Sequence, residues 1–178
     1  MSSPMKITWF AKTCFRLHVG GQIIVVDPEL APPEISTGEL ISGADRIVRK
    51  GEAGLTQFDP SGWHRRRPLL AVDGDDAPPP ALSRFGSGGL FVDAPGEAPL
   101  IVCGDKALWN RFADDAVIVL AGPLDRLVAD ISAIAASARP RLVALASHQI
   151  DEAHFPALAN AAAGTPLQLL EPGLALEA

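Results

Sequence analysis

The chain has 178 residues, 48% of them hydrophobic and 6% aromatic, with 15 Lys and Arg against 21 Asp and Glu, a net charge of −6. The length suits a single domain over residues 1–178 with ample core, and the acidic balance argues against nonspecific nucleic-acid binding, which rests on basic surfaces that neutralise phosphates. The longest nearly unbroken apolar run, Ala116 to Ala121, is far short of the roughly 20 residues a membrane-spanning helix needs, so a membrane partner is not expected.

The first third reads as strands. Lys6 to Phe10 is rich in Ile, Thr, Trp and Phe, which suit a pleated surface. Cys14 to Val19 alternates apolar and polar residues, the period of a half-buried strand. Gly20-Gly21 supplies the positive φ angles of a tight hairpin. Gln22 to Asp27 is a mostly continuous apolar run, read as a strand buried on both faces, and Pro28 ends it. Three strands on short links predict an antiparallel meander.

The middle is looser. Residues 31–40 read as irregular, Ala44 to Arg49 as one more strand, and residues 50–66 show little periodicity. Short strands are expected at Pro68 to Val72, Leu90 to Asp93 and Leu100 to Cys103. Asp73 to Pro80 reads as an exposed loop and Gly86 to Gly89 as a flexible piece. The last third alternates. Ala116 to Ala121 is a buried strand. Leu124, Leu127, Val128, Ile131, Ile134 and Ala135 recur at helical spacing after Pro123. Leu142 to Ala146 is a strand. Asp151 is a helix cap, followed by the stripe Phe155, Leu158, Ala159 and Ala162, closed by Gly164. Pro166 to Leu170 and Leu174 to Leu176 finish as strands.

Several residues carry candidate chemistry. His148, Asp151, Glu152 and His154 form the one dense cluster of ligand-type side chains. They could converge on a metal, or Asp151 could simply cap a helix, and the absence of HxxxH or HxH spacing favours the cap. Trp63 to Arg67 is a basic run read as a solvated face. Cys14 and Cys103 make no CxxC pair and no disulfide framework. They read as small buried hydrophobes in a cytoplasmic protein, since Met1 to Lys6 lacks the apolar core of a secretory signal.

Some segments are also familiar as a set. Met5 to Phe15, Val26-Asp27-Pro28, Ala44 to Val48, Cys103-Gly104-Asp105, Arg139 to His148 and Gly164 to Gly173 stand in the order of the corresponding pieces of metallo-β-lactamase-fold hydrolases. The chain resembles in particular the branch of zinc-dependent hydrolases that includes ascorbate-phosphate lactonase-like proteins. Both ends match well and the centre poorly. The resemblance implies an α/β (α+β) fold, a four-layer αββα sandwich shortened centrally, with the site at the sheet edges.

The resemblance also points to what differs. The family draws most of its metal ligands from a His-x-His-x-Asp-His loop after the Ala-Asp strand. That place here reads Val48 to Asp59 and holds no histidine. The opening-turn histidine is Lys12, and no histidine lies between His64 and His148. Asp105 stands at the bridging aspartate and His148 at the last histidine ligand. Two protein ligands fall short of the three that a catalytic zinc takes. The expectation is a degenerate site without a metal cofactor, in which Lys12 or Lys50 neutralises Asp27 and Asp105. Those lysines could serve as structural partners, or with Asp27 they could bind an anionic small molecule. The chain then reads as a noncatalytic or ligand-binding descendant of metal-dependent hydrolases. The alternative is an active hydrolase of a phosphorylated, ester or lactone molecule. It would use zinc or another divalent metal on Asp105 and His148, with His154 added. A homodimer is a further expectation from the apolar composition.

Overall fold

The structure is a computed structural model that describes residues 4–66 and 78–178. Eleven strands form two sheets. β1 (Lys6–Ala11), β2 (Cys14–Val19), β3 (Gln22–Val26), β4 (Arg46–Val48) and β11 (Ala175–Glu177) make a five-stranded sheet in the order β11-β1-β2-β3-β4. β5 (Ala81–Phe85), β6 (Gly89–Asp93), β7 (Leu100–Cys103), β8 (Val117–Ala121), β9 (Leu142–Ala146) and β10 (Leu167–Leu169) make the second, in the order β10-β9-β8-β7-β6-β5. The helices are α1 (Thr37–Ile41), α2 (Leu124–Ser137) and α3 (Phe155–Ala162).

The expected meander is present. β1, β2 and β3 pair antiparallel, and Gly20 and Gly21 turn the second hairpin at φ 56° and 73°, a pair of angles that a primed turn demands. β4 then runs parallel to β3. The later alternation of strand and helix gives β7, β8, β9 and β10 mutually parallel, as crossover connections require.

Side-chain alternation builds the layers. All five residues of β8 are buried. Val117, Val119 and Ala121 face the core between the sheets, with Ile7, Trp9, Leu17, Ile24 and Val92. Ile118 and Leu120 face the opposite way, into a second core with Leu127, Ile131 and Ile134 of α2 and Leu158 of α3. A small third core, Cys14, Val25 and Leu40, lies under α1 on the outer face of the first sheet. The result is a mixed α/β sandwich of two sheets with helices outside.

The outer face of β5 to β7 is roofed by chain that is neither helix nor strand. Gln57 bridges to Arg84 of β5. Phe58 then stacks on Phe91 with ring centroids 3.9 Å apart, and Trp63 meets Phe91 edge-on at 5.2 Å. This strap is fastened at its far end: the Trp63 indole donates to Asp93 (3.1 Å), Arg66 pairs with Asp93 at 3.3 Å, and Arg65 and Arg141 both hold Asp115.

Several expectations need correction. Trp63, Arg65 and Arg66 are fasteners, not a solvated basic face, because buried Asp93 and the turn at Asp115 require partners. Arg67, the expected strand 68–72 and residues 73–77 of the expected loop lie outside the described residues. β5 and α1 were not expected, and Gly86 to Gly89 is the β5–β6 hairpin, not a flexible piece. β10 joins β9 and β11 joins β1, so they close different sheets. Asp151 caps a single 3-10 turn, Glu152–His154, and α3 begins only after it.

Candidate functional site

Because β7, β8 and β9 are parallel, the segments that follow them leave the second sheet at one edge, the usual place for sites in such sheets. Asp105 follows β7. From the first sheet, Asp27 follows β3, Lys50 follows β4, and Lys12 and Thr13 form the β1–β2 turn. The β5–β6 hairpin brings Ser87 and Gly88 to the same place. A cavity of about 20 Å³ is lined by Thr13, Asp27, Lys50, Ser87 and Gly88 among others, room for ordered water and little more.

Asp27 is 1% exposed and sits in the left-handed region at φ 45°, a conformation that costs an L-residue about 1–2 kcal/mol and that Asp adopts more readily than most. Its carboxylate is fully engaged. Thr13 Oγ1 donates to Oδ2 at 2.6 Å, and the Lys50 backbone N–H donates to Oδ1 at 2.6 Å. A tight turn presents that N–H: Glu52 N–H donates to Arg49 O, and Arg49 N–H donates to the Glu52 carboxylate, both at 3.0 Å. The Arg84 guanidinium then braces the turn at the Glu52 carbonyl.

The other end of Lys50 reaches the second carboxylate. Lys50 Nζ lies 3.4 Å from Asp105 Oδ2, and Ser87 Oγ donates to the same oxygen at 3.0 Å. Gly88 makes this meeting possible. A Cβ there would come within 2.7 Å of Asp105 Oδ2 and 3.1 Å of Lys50 Cε. The Ser87 hydroxyl, then the Lys50 ammonium and the more distant Arg126, hold the Asp105 carboxyl below the usual carboxylate range, against partial burial that raises it. A carboxylate so depressed is a weak general base, and Ser87, whose proton is turned to it, is not activated as a nucleophile.

The remaining candidates fall at different distances from this pair. Lys12 is exposed at φ 48°, and its side chain makes no ion pair among the described residues, so Lys50 alone spans the two carboxylates. The Lys12 carbonyl accepts from the Trp9 indole at 3.1 Å. The His148 ring, exposed, lies against Trp9 with centroids 4.5 Å apart. His154 is taken up elsewhere: its Nδ1 accepts from the Asp151 backbone N–H at 3.2 Å in a capping box, and Asp151 Oδ1 accepts from the Ala153 N–H. Thus the cap reading of Asp151 holds, and the cluster His148, Asp151, Glu152 and His154 does not converge. Among the described residues no group of three or more His, Cys, Asp or Glu side chains is placed to hold a metal ion. Among the described residues, the donors gathered at this edge fall short of the three protein ligands that a catalytic zinc takes.

Both cysteines are buried and free. Burial, with Asp27 and Glu29 nearby, pushes the Cys14 thiol up to about 12, and burial pushes Cys103 up to about 11. Neither offers thiolate. Cys103 Sγ donates to the Asp105 carbonyl at 2.8 Å, which fixes the turn carrying Asp105. Thr13, Ser87 and Gly88 were not singled out from sequence. Thr13 stands beside Lys12 in the opening segment, but Ser87-Gly88 carries no signal except glycine content.

This arrangement of sheets recurs in known proteins. Over 98% of this chain, Igni18, a novel metallo hydrolase from the hyperthermophilic archaeon Ignicoccus hospitalis KIN4/I, superposes with a TM-score of 0.59 at 15% identity, 98% of that chain being covered. The chain has a metallo-β-lactamase-like fold. An isothiocyanate hydrolase from Delia radicum gut bacteria has the same arrangement, with a TM-score of 0.58 at 13% identity over 98% of this chain and 100% of that one. Both matches run nearly end to end, so central shortening does not show against either protein. No family model matches the sequence, and neither does any curated protein. The likeness to these hydrolases is one of fold.

Proposed function

We propose that this protein is a noncatalytic member of the metallo-hydrolase fold, in which one lysine stands where relatives would keep a metal. The observation that carries this reading is the double use of Lys50. Its backbone N–H serves Asp27 (2.6 Å) and its ammonium faces Asp105 (3.4 Å). Two carboxylates at the functional edge are thereby satisfied by one residue. A bound dication brings the pKa of water from about 15.7 to about 7; a single ammonium, already neutralised by Asp105, supplies no such activation. The cavity beside it, about 20 Å³ with room for ordered water and little more, supports the same reading.

The ligand class that suits this rim is a small anion. The exposed Lys12 ammonium makes no ion pair among the described residues, and the Lys50 side chain is 58% exposed, so both heads can turn to a phosphate or carboxylate in solvent. A second reading keeps hydrolysis. The Lys50–Asp105 contact is long, at 3.4 Å, and solvent-exposed, so a swing of Lys50 would bare Asp105 on the edge where His148 lies against Trp9.

Elemental analysis of the purified protein, with calorimetric titration of zinc, separates the two. The expected result is no stoichiometric metal, no zinc isotherm that depends on Asp105, and no turnover of phosphate-ester, lactone or isothiocyanate substrates with or without added metal. Near-stoichiometric metal lost in both Asp105→Ala and His148→Ala, together with turnover, overturns the noncatalytic reading. Inorganic phosphate binding that weakens in Lys12→Ala supports the anion site.

A further inference from the structure

We propose that β10 is the seam of a homodimer, in which two copies pair their β10 strands antiparallel and join their second sheets into one. β10 ends the six-stranded sheet, and among the described residues no strand pairs with its outer side. Pro166 O accepts from Val143 N–H and Leu170 N–H donates to Leu145 O, each at 2.9 Å. By the alternation of a strand, the peptide groups of Leu167 and Leu169 therefore face the open edge. Such an edge is ordinarily guarded by charge, proline or a bulge. Here the guard is slight: the Gln168 amide folds back on the Leu169 carbonyl at 3.2 Å.

The flank on the helix side of this edge is apolar, and the opposite flank is mixed. On the helix side, a hollow of about 330 Å³ is walled by Leu145, Phe155, Leu158, Ala159, Leu167 and Leu169. On the other side, a hollow of about 170 Å³ is lined by Gln168, Glu171, Leu174 and Leu176 among others. Phe155 (47% exposed) and Leu174 (60%) stand beside them. From Phe155 to Leu170 there is no charged residue, although α3 faces solvent at Pro156, Ala157, Ala159 and Asn160.

That uncharged run selects the occupant. The chain carries −6, so a second copy is repelled by most of its surface and least at this face. The strand is also self-complementary. A two-fold axis at Gln168 sets Leu167 opposite Leu169 of the second copy as a mutually bonded pair, and sets the two Gln168 side chains opposite each other. Each outward N–H and C=O of Leu167 and Leu169 then finds a partner, and the apolar hollow on the helix side meets its own image, as an isologous interface requires.

Sedimentation equilibrium of the full chain at micromolar concentration, with amide hydrogen exchange, tests this. The expected result is a dimer in which the Leu167 and Leu169 amides are protected. Gln168→Lys sets like charges across the axis, and Ala159→Glu charges the helix flank. Each should weaken dimerisation about tenfold or more and expose those amides, with unchanged thermal unfolding of the monomer. Both substitutions are at surface positions, so folding is not at stake. A monomer throughout overturns the proposal, and so does a dimer indifferent to both variants with Leu167 and Leu169 unprotected.

Discussion

Asp105 shows how one carboxylate reports the state of the candidate site. Its largest single stabilising interaction is the Ser87 hydrogen bond, and the Lys50 ammonium adds both charge and a hydrogen bond. A carboxyl held below its unfolded value contributes stability that is present above about pH 3.9 and lost as pH falls through the folded value. Ser87→Ala and Lys50→Met should therefore each move the Asp105 carboxyl upward, read by carbon NMR titration of the side chain. An Asp105 titration unmoved by Ser87→Ala would mean that the ion pair, not the hydroxyl, governs this group. The sequence showed two carboxylates with basic residues in the metal loop, and charge neutralisation alone called for a pairing. It did not show which lysine. Lys50 is chosen by the turn Arg49–Glu52, which aims its N–H at Asp27, while Lys12 projects from a hairpin turn into solvent. Ser87 was illegible because a hydroxyl gains its meaning from the strand opposite, not from its neighbours in the chain.

At the scale of elements, the β5–β6 hairpin depends on a glycine that only the packed sheet explains. A Cβ on Gly89 would lie 2.5 Å from Val102 O and 2.6 Å from Phe85 O, both backbone atoms. Neither can swing aside, so Gly89→Ala should destabilise the fold by about 1–3 kcal/mol, measured as a fall in the urea midpoint without a change in slope. At Gly88 the nearest atoms belong to movable side chains, so alanine there should displace the Asp105 carboxylate at a smaller cost. Elements with strong periodicity, such as β2, β8 and α2, were legible from sequence. β5 was not: Ala81 to Phe85 follows three prolines, has no clean alternation and contains Ser83 and Arg84, yet it becomes a strand because Leu90 to Asp93 offers it a partner. α1 was missed for a similar reason. Thr37-Gly38 is poor helix sequence, and its one buried residue, Leu40, is held by the third core.

For the molecule as a whole, the two ends of the sandwich are chemically distinct. One end gathers Asp27, Asp105 and Lys50. The other is tied by Asp115 between Arg65 and Arg141, which hold its carboxyl below the usual range. By the same sign argument, this tie is intact above about pH 3.9 and released as acid protonates Asp115. Asp115 sits at φ 57°, an angle that asparagine also accepts. Asp115→Asn should thus leave the sheets intact while speeding amide exchange across residues 63–66 at neutral pH; unchanged exchange there would mean that Asp93 alone secures the strap. The overall sandwich was legible from the order of segments, because strand and helix periods survive in the two thirds that build the sheets. The strap was not, since Phe58 and Trp63 have no period to betray them.

The same roof of rings gives the protein a built-in optical gauge. Phe58 lies flat on Phe91, and Trp63 stands edge-on to it with its indole N–H committed to a carboxylate, so this tryptophan occupies an asymmetric, immobile setting. Detachment of that stretch would erase its near-ultraviolet dichroism while the far-ultraviolet signal of the sheets persisted. Trp9, enclosed between the layers, would keep its own signature until the layers themselves parted.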